Sequence, residues 1–426
     1  MIEQKSRKKE EHRIEKTKRT LLLLLATAAI IAMPDLQAQN NTNSPFSIFG
    51  IGEIEMRDFG RTAGMGNVGI GIQSENFLNR RNPAGLSGID TLRFILDVSA
   101  AVKFSEFSTT LYDRRTTNFN IKNIAVGVRL TKGWTSSVGL GSYSNVGYSL
   151  REQQYIQGTD EYMNINFRGN GGINKFYWAN AYELFRGFSA GITASYLFGN
   201  TTHFEETEIL SIKTTHNVSE FKLDFGAQYS YWFEDHTRIT VGGTYVNKSD
   251  IAVQRSLNIS SVTAIERNQR LPDLKSYVPE KYGAGLSILR NKRDAEWIFA
   301  VDYQFQNWSI DPLRHKSLTY TDSHIYSAGL QLTPNKRRPE KYLHAMRFNL
   351  GASINKTYLK VNGFQMDDYS ISMGVGFPFR NSSFVNIAVN AGESGTGERG
   401  GITEKYVLLS VNISMIERWF AKPQWD

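Results

Sequence analysis

The stretch KYVLLSVNISMIERWF (Lys405–Phe420) decides the fold class of this chain. From Val407 to Met415, apolar residues occupy every second position, and Ser410, Asn412 and Ser414 lie between them. Successive side chains of a β-strand point to opposite faces, so this strand has one apolar and one polar face. The apolar face contacts either a protein core or lipid, and the rest of the sequence distinguishes the two.

The composition favours many strands joined by turns. The chain has 426 residues, of which 12% are aromatic, and its 36 glycines far outnumber its 10 prolines. It has no cysteine, so neither a disulfide framework nor a thiolate metal site is available. A closed, hydrogen-bonded sheet stabilises an exported protein without disulfides.

The first 38 residues read as a cleavable secretory signal peptide. Residues 1–20 carry eight basic and four acidic side chains, the apolar stretch Leu21–Met33 follows, and Ala38 is the predicted cleavage position. The apolar stretch is shorter than the roughly 20 residues of a membrane-spanning helix. Half of the formal net charge of +8 lies in residues 1–20, so the mature chain has no basic excess that would predict nucleic acid as a partner.

Period-2 alternation recurs along the mature chain and predicts fourteen strands. Most are longer than the 5–6 residues common in soluble proteins and suit a tilted crossing of a bilayer, which takes about 9–11 residues. The predicted strands are 92–104, 118–131, 134–149, 173–184, 187–199, 219–233, 237–248, 278–290, 295–307, 322–333, 343–355, 367–379, 382–392 and 404–416.

The connections alternate between short and long, as they do in outer-membrane barrels, whose periplasmic turns are short and outer loops long. The predicted long loops are 105–117, 150–172, 200–218, 249–277, 308–321, 356–366 and 393–403. We therefore predict an all-β protein: a closed antiparallel transmembrane β-barrel of about 14 strands in the outer membrane of a Gram-negative bacterium. The alternative is a soluble all-β domain with an aromatic core.

In a barrel the apolar face contacts lipid and the polar face lines the lumen. The predicted lumen residues are Arg93, Asp97, Lys103, Arg129, Lys222, Asp224, Asp302 and Arg347. Aromatic residues in the predicted long loops are candidates for contact with a hydrophobic ligand or a protein partner. These are Tyr155, Tyr162, Phe167, Phe204 and Tyr277.

The chemistry-bearing motifs do not predict an enzyme. The run GMGNVG (Gly64–Gly69) has the spacing of a dinucleotide fingerprint but lacks the preceding strand and following helix that binding requires. His203 and His216 share a predicted loop with three glutamates, yet no recurrent ligand spacing is present. We predict no catalytic residue, no metal and no cofactor.

Two stretches resemble the FadL family of outer-membrane transporters of long-chain fatty acids, also called OMPP1-type. The run from Phe49 to Gly88 is similar to that family's N-terminal hatch, with the glycines Gly64, Gly66 and Gly69. Its Asn-Pro-Ala motif is matched by Asn82, Pro83, Ala84, Gly85 and Leu86. The run from Pro279 to Ser309, with Asp302, is similar to a hairpin of the same family, and NNTNSPFSIFGIGE (40–53) is similar to uncharacterised relatives from Bacteroidota.

The resemblance implies a hatch at 39–91, a barrel at 92–420 and a short periplasmic tail at 421–426. Barrel size gives a separate reason for a plug, since fourteen strands lie between barrels filled by side chains and those with an aqueous channel. The alternative for 39–91 is a loose periplasmic tail. The resemblance also implies passive uptake of a hydrophobic small molecule. A non-transporting accessory subunit of a secretion or protein-assembly complex, bound to other barrels or surface lipoproteins, is the alternative.

Overall fold

We analysed a computed structural model that describes residues 42–48, 50–91, 93–109, 113–261, 266–308, 318–335, 341–361, 363–379, 383–396 and 401–418. The predicted signal peptide (1–38), the first residues of the predicted hatch (39–41) and the predicted tail (421–426) lie outside these ranges. Within the ranges no helix is both long and apolar enough to cross a membrane.

The described elements are almost entirely strands. They are β1 (Glu53–Ile54), β2 (Arg93–Ser108), β3 (Asp113–Arg129), β4 (Trp134–Tyr155), β5 (Tyr162–Phe185), β6 (Phe188–Glu206), β7 (Leu210–Phe233), β8 (Thr237–Val246), β9 (Ser249–Ser261), β10 (Glu266–Val278), β11 (Lys281–Lys292), β12 (Ala295–Gln306), β13 (Leu318–Tyr320), β14 (Ser323–Thr333), β15 (Arg347–Val361), β16 (Phe364–Pro378), β17 (Phe384–Gly395) and β18 (Thr403–Arg418). Short 3-10 helices span Pro45–Ile48, Arg61–Met65 and Pro83–Gly88, and one helical turn, α1, spans Tyr342–Ala345.

The strands close into an antiparallel barrel. The last strand, β18, pairs with β2 from Thr403↔Ser108 to Arg418↔Arg93, and β8 pairs with β11. β9 and β10 continue β8 and β11 above breaks in those strands and pair with each other, so the ring has fourteen positions. The predicted closed barrel of about 14 strands is confirmed.

The two faces of the wall separate apolar from polar side chains as the sequence predicted. On β18, Val407, Ile413 and Met415 are 43%, 39% and 41% exposed, whereas Ser410 and Asn412 are 2% and 1% exposed. A large apolar side chain exposed on a wall of this kind is solvated by acyl chains. The polar side chains are buried because the lumen behind them is occupied.

The prediction that residues 150–172, 200–218 and 249–277 are loops is wrong, since most of each is a strand. β4 runs on to Tyr155 and pairs with β5 from Tyr162, and β6 and β7 turn at 207–209. The prediction missed these extensions because the polar runs of β4 and β10, whose two faces both meet water, show no alternation. Strands β4 to β7, with β9 and β10, therefore rise as a sheet above one side of the barrel, a part that we call the extended wall.

β3 and β4 part before their outer ends. Their pairing runs only from Arg129↔Thr135 to Asn123↔Gly141, although β3 begins at Asp113 and β4 ends at Tyr155. Above this point β4 pairs with β1, at Glu53↔Asn145 and Ile54↔Ser144. We call this parting of the wall the seam.

Candidate functional site: the N-terminal segment in the lumen

The described residues of the predicted hatch, 42–48 and 50–91, lie inside the barrel and are held there by an inward-facing carboxylate. Asp302, on β12, accepts hydrogen bonds from the backbone N–H groups of Gly69 (2.6 Å) and Ile70 (2.9 Å). The side chain of Ser287, on β11, donates to the carbonyl of Gly71 (2.6 Å). Charge-assisted bonds of this kind are about twice as strong as neutral ones, so Asp302 is an anchor for the segment.

A row of inward-facing glycines lets the segment pack backbone against backbone. A Cβ added at Gly329 or Gly351 would come within 3.0 Å of Met65, and one at Gly242 would come that close to the carbonyl of Ile70. Close approach of two backbones requires residues without a Cβ. Sequence reasoning missed these barrel glycines, although glycine at polar-face positions of several strands was a visible signal.

The glycines predicted in the hatch have separate contacts. Gly64 lies against the backbone of Gly374, on β16, and Gly66 has φ +67° and donates its N–H to Ser372 (2.8 Å). The left-handed conformation of Gly66 is unfavourable for a residue with a Cβ. The run that resembled a dinucleotide fingerprint is therefore built to contact the barrel wall.

The predicted Asn-Pro-Ala motif forms a capped 3-10 helix against the wall. The Asn82 side chain accepts from the N–H of Ala84 (3.1 Å) and donates to the carbonyls of Ile70 (2.9 Å) and Ala227 (3.1 Å). Asn82 thus joins the start of the helix, the glycine-rich turn and β7. The other motif residues lie in the helix and are buried: Pro83, Ala84, Gly85 and Leu86.

The predicted lumen residues all lie among contacts of the barrel interior or the segment. Asp97 accepts from Ser414 (2.7 Å), and Arg129 donates to the carbonyls of Ser87 (3.2 Å) and Ile89 (2.8 Å). Further contacts are Arg93 with Asp90 (2.6 Å), Lys222 with Asp224, and the Arg347 guanidinium over the Phe384 ring (3.4 Å to the centroid). Asp302 and Lys103 complete the set.

An internal cavity of about 160 Å³ is crossed by ion pairs between the segment and the wall. Lys122 pairs with Glu55 (2.6 Å) and Arg57 with Asp368 (2.7 Å). Lys103 pairs with Glu404 (2.7 Å) and lies 3.9 Å from Glu53. An apolar ligand here would separate charges from their partners and offer no hydrogen bond in return, which is unfavourable. A second cavity, of about 70 Å³, is also lined by charged residues, among them Arg80, Lys175 and Lys281.

The aromatic residues proposed as outer-loop contacts lie on strands and do not converge on one pocket. Tyr155 and Tyr162 pair edge-to-face across the β4–β5 tip, at 5.4 Å between centroids. Phe204, on β6, lies near Lys213 (5.7 Å), and buried Tyr277, on β10, lies beneath Lys248 (4.3 Å). Phe167 is on β5, where it lies opposite Glu205 of β6 in the strand register.

The two histidines considered as metal ligands are close to each other on the extended wall. The His203 and His216 rings are 5.0 Å apart, and His203 Nδ1 hydrogen-bonds the hydroxyl of Tyr148 (2.8 Å). Burial lowers the pKa of both histidines, that of His216 to about 4. In the part of the chain that the structure describes, no three His, Asp or Glu side chains come together as a metal site.

Fold and lumen together define a transmembrane β-barrel whose interior is occupied by its own N-terminal segment. The family model BamG matches residues 17–426, and the chain belongs to the BamG family. A search of curated proteins found no match.

Solved structures share the barrel fold at low sequence identity. The Pseudomonas putida toluene transporter TodX aligns with a TM-score of 0.57 at 12% identity, covering 86% of this chain and all of TodX. The Ralstonia pickettii toluene transporter TbuX aligns at 0.55 and 13% identity, covering 85% and 99%. A Pseudomonas aeruginosa FadL homologue aligns at 0.57 and 12% identity, covering 85% and 99%. These matches give the chain a FadL-like barrel fold.

Proposed function

We propose that this protein is a sealed outer-membrane barrel that serves as an accessory subunit of an outer-membrane protein-assembly or secretion complex. The observation that carries the proposal is the packing of the N-terminal segment against inward glycines of the barrel wall. The family name, BamG, hints at the same role. The proposal includes no catalytic activity and no cofactor, and the lipid of the outer membrane solvates the apolar wall.

The cost of displacing the segment supports a sealed barrel. Displacing the segment breaks its two hydrogen bonds to Asp302 and leaves two N–H groups without an acceptor. Each buried group left unsatisfied costs about 1–3 kcal/mol. The ion pairs of the cavity would also part. A conduit that opens by diffusion of a small ligand has no comparable source of free energy.

Protein partners test the proposal. The tagged full chain would be purified from its own outer membrane in mild detergent, and bound proteins and lipids identified by mass spectrometry. We expect a stoichiometric outer-membrane barrel or surface lipoprotein, and no conductance when the complex is placed in a planar bilayer. A monomeric barrel, free of protein partners in several mild detergents, would contradict the accessory role.

Passive uptake of a hydrophobic small molecule is the second candidate, and the seam favours it. A wall that parts at its outer half gives a molecule a lateral path between lumen and membrane, and the structural neighbours TodX and TbuX are toluene transporters. A hydrophobic molecule retained in the lumen after purification, together with ligand-dependent uptake into proteoliposomes, would select this candidate. We also infer the OMPP1-type and Bacteroidota affiliation, which rests on the sequence resemblance.

A further inference from the structure

The upper part of β4 has one edge that points into the seam. On its other side β4 pairs with β5 without a break from Ser144↔Ile173 to Tyr155↔Tyr162. Towards the seam, its pairing with β3 stops at Gly141; β1 takes its place at Ser144 and Asn145, and Ser44 and Ser47 bond Gly147. The edge from Tyr148 to Tyr155 therefore continues beyond the short strand that covers its base.

Backbone groups of this edge are directed into the seam at every second residue. The N–H groups of Glu55 and Ser44 donate to the carbonyls of Tyr143 (2.9 Å) and Gly147 (2.8 Å). The carbonyl of Ser149 accepts from the guanidinium of Arg114, on β3 (2.9 Å). In an antiparallel strand the N–H and C=O of one residue point to the same side, and the side alternates along the strand. Arg151 and Gln153 therefore also point their backbone N–H and C=O groups into the seam.

The Arg114 contact indicates the width of the seam. In a ladder, neighbouring strands lie about 4.8 Å apart and their backbones bond directly. Here a whole arginine side chain reaches from β3 to the backbone of β4, so the two strands are further apart than in a ladder. A guanidinium donates where the N–H of an added strand would donate, which makes Arg114 a substitute for a missing strand.

The chain itself demonstrates that the seam accepts a strand. β1 is antiparallel to β4, and its neighbours reach both sides of the seam: the Asn43 side chain donates to Asn118, on β3 (2.7 Å), while Ser47 and Gly147 exchange hydrogen bonds. Unpaired strand edges are templates for pairing with another chain. β1, Ser44 and Ser47 cover the edge up to Gly147, which leaves the part above it for a second segment.

We propose that the seam is a strand-acceptor site: an extended segment of another surface-exposed polypeptide pairs with residues 149–155 of β4, above β1. This inference rests on the proposed accessory role, because it supplies the contact by which a partner is held. The side chains that flank the site include Arg114, Arg115 and Arg151, so the fitting segment carries an acidic residue. Arg115 is already paired with the Glu106 carboxylate (2.8 Å), whereas Arg114 and Arg151 donate to neutral oxygens of Ser149 and Asn166, so Arg114 and Arg151 are the recognising groups.

Two matched pairs of substitutions separate backbone pairing from side-chain contact. Arg151→Pro with Gln153→Pro removes two N–H groups that face the seam and leaves the ladder to β5 intact. Arg151→Ala with Gln153→Ala removes the same side chains, including their bonds to Asn166 (3.1 Å) and Asn164 (3.2 Å), but keeps both N–H groups. The tagged full chain with each pair would be purified in mild detergent, with heat-modifiable migration as the folding check.

We expect the proline pair to lose the partner at least tenfold relative to wild type, and the alanine pair to lose it severalfold less. Residue-resolved hydrogen exchange on the wild-type complex gives a second measurement. The N–H groups of Arg151 and Gln153 should be protected only with the partner bound, whereas those of Glu152 and Gln154, bonded to β5, should be protected with or without it.

Retention of the partner by the proline pair, or equal loss in both pairs, would overturn the strand-acceptor site while leaving the accessory role intact. Exchange at Arg151 and Gln153 that ignores the partner would overturn it as well. If wild type binds no partner at all, the proposed accessory role fails first, and the strand-acceptor site with it.

Discussion

The glycine at position 242 gives the sharpest test of the sealed lumen. A methyl group added there would come within 3.0 Å of the carbonyl oxygen of Ile70. That carbonyl accepts hydrogen bonds from Gln228 (2.7 Å) and Asn82 (2.9 Å). Gly242→Ala therefore forces Ile70 away from the wall and disturbs both bonds. The adjacent Gly243 is the control, because a methyl group there has its nearest neighbour at 4.0 Å.

The magnitude follows from the two effects. Overpacking costs about 1–3 kcal/mol, and a weakened hydrogen bond costs about 0.5–1.5 kcal/mol. A total of about 3 kcal/mol raises the population of displaced segment roughly 100-fold, since about 1.4 kcal/mol corresponds to a factor of ten. Gly243→Ala should change the population by less than about twofold, as expected for a surface substitution.

The assay uses the absence of cysteine from the chain. Thr62 is fully buried in the segment, so Thr62→Cys introduces a single thiol that a maleimide reaches only when the segment is displaced. We expect Gly242→Ala to accelerate labelling roughly 100-fold over the Thr62→Cys background, in proportion to the displaced population. Equal labelling rates for Gly242→Ala and Gly243→Ala would refute the view that glycine packing holds the segment in place.

Three further predictions concern the anchor, the plug and pH. Asp302→Ala leaves the N–H groups of Gly69 and Ile70 without their acceptor and should accelerate the same labelling at least tenfold. Asp302→Asn retains an acceptor oxygen and should accelerate the labelling less. Equal labelling rates for the two variants would argue against Asp302 as the anchor. Deletion of residues 40–88 should convert a silent barrel into a conducting one in planar bilayers, and unchanged conductance would exclude a plug. Burial lowers the pKa of His216 to about 4, from an ordinary value near 6.5. Between these pH values His216 is protonated in the unfolded outer hairpin and neutral in the folded one. Lowering the pH from about 6.5 to about 4 should destabilise the β6–β7 hairpin, seen as faster hydrogen exchange after correction for intrinsic rates. His216→Asn should weaken this pH dependence of the exchange rate. An unchanged pH dependence in His216→Asn would show that His216 is not the group responsible.

The barrel could be predicted from the sequence because its wall contacts lipid. Where one face of a strand meets acyl chains and the other meets the lumen, alternation is strong, and all fourteen predicted strands have counterparts in the structure. Above the membrane the constraint disappears. Asn164, Asn166 and Arg168 alternate with Ile165 and Phe167 on β5, but the polar runs of β4 and β10 carry no such pattern, and the predicted loops there are strands.

For the lumen, the sequence predicted which residues face inwards but not which contacts they make. Alternation places Asp302 on the inner face, but no local rule pairs it with the N–H groups of Gly69 and Ile70, more than 200 positions away in the sequence. The ion pairs of Glu55, Arg57 and Asp368 were missed for the same reason. Lys122 was harder still, because the bulge between Ser99 and Ala100 leaves it opposite no residue of β2. Packing between distant segments, rather than propensity, decides these positions.

The extended wall makes the molecule unequal around its circumference. Strands of 22 to 24 residues, β4, β5 and β7, stand on one flank, while β12 and β14, on another, have 12 and 11 residues. Viewed from outside the cell, such a protein has a high rim along one arc and a low rim along the other. A bulky neighbour at the cell surface can approach the barrel over the low rim but not over the high one. The height of the wall therefore sets the direction of approach before any chemical recognition begins.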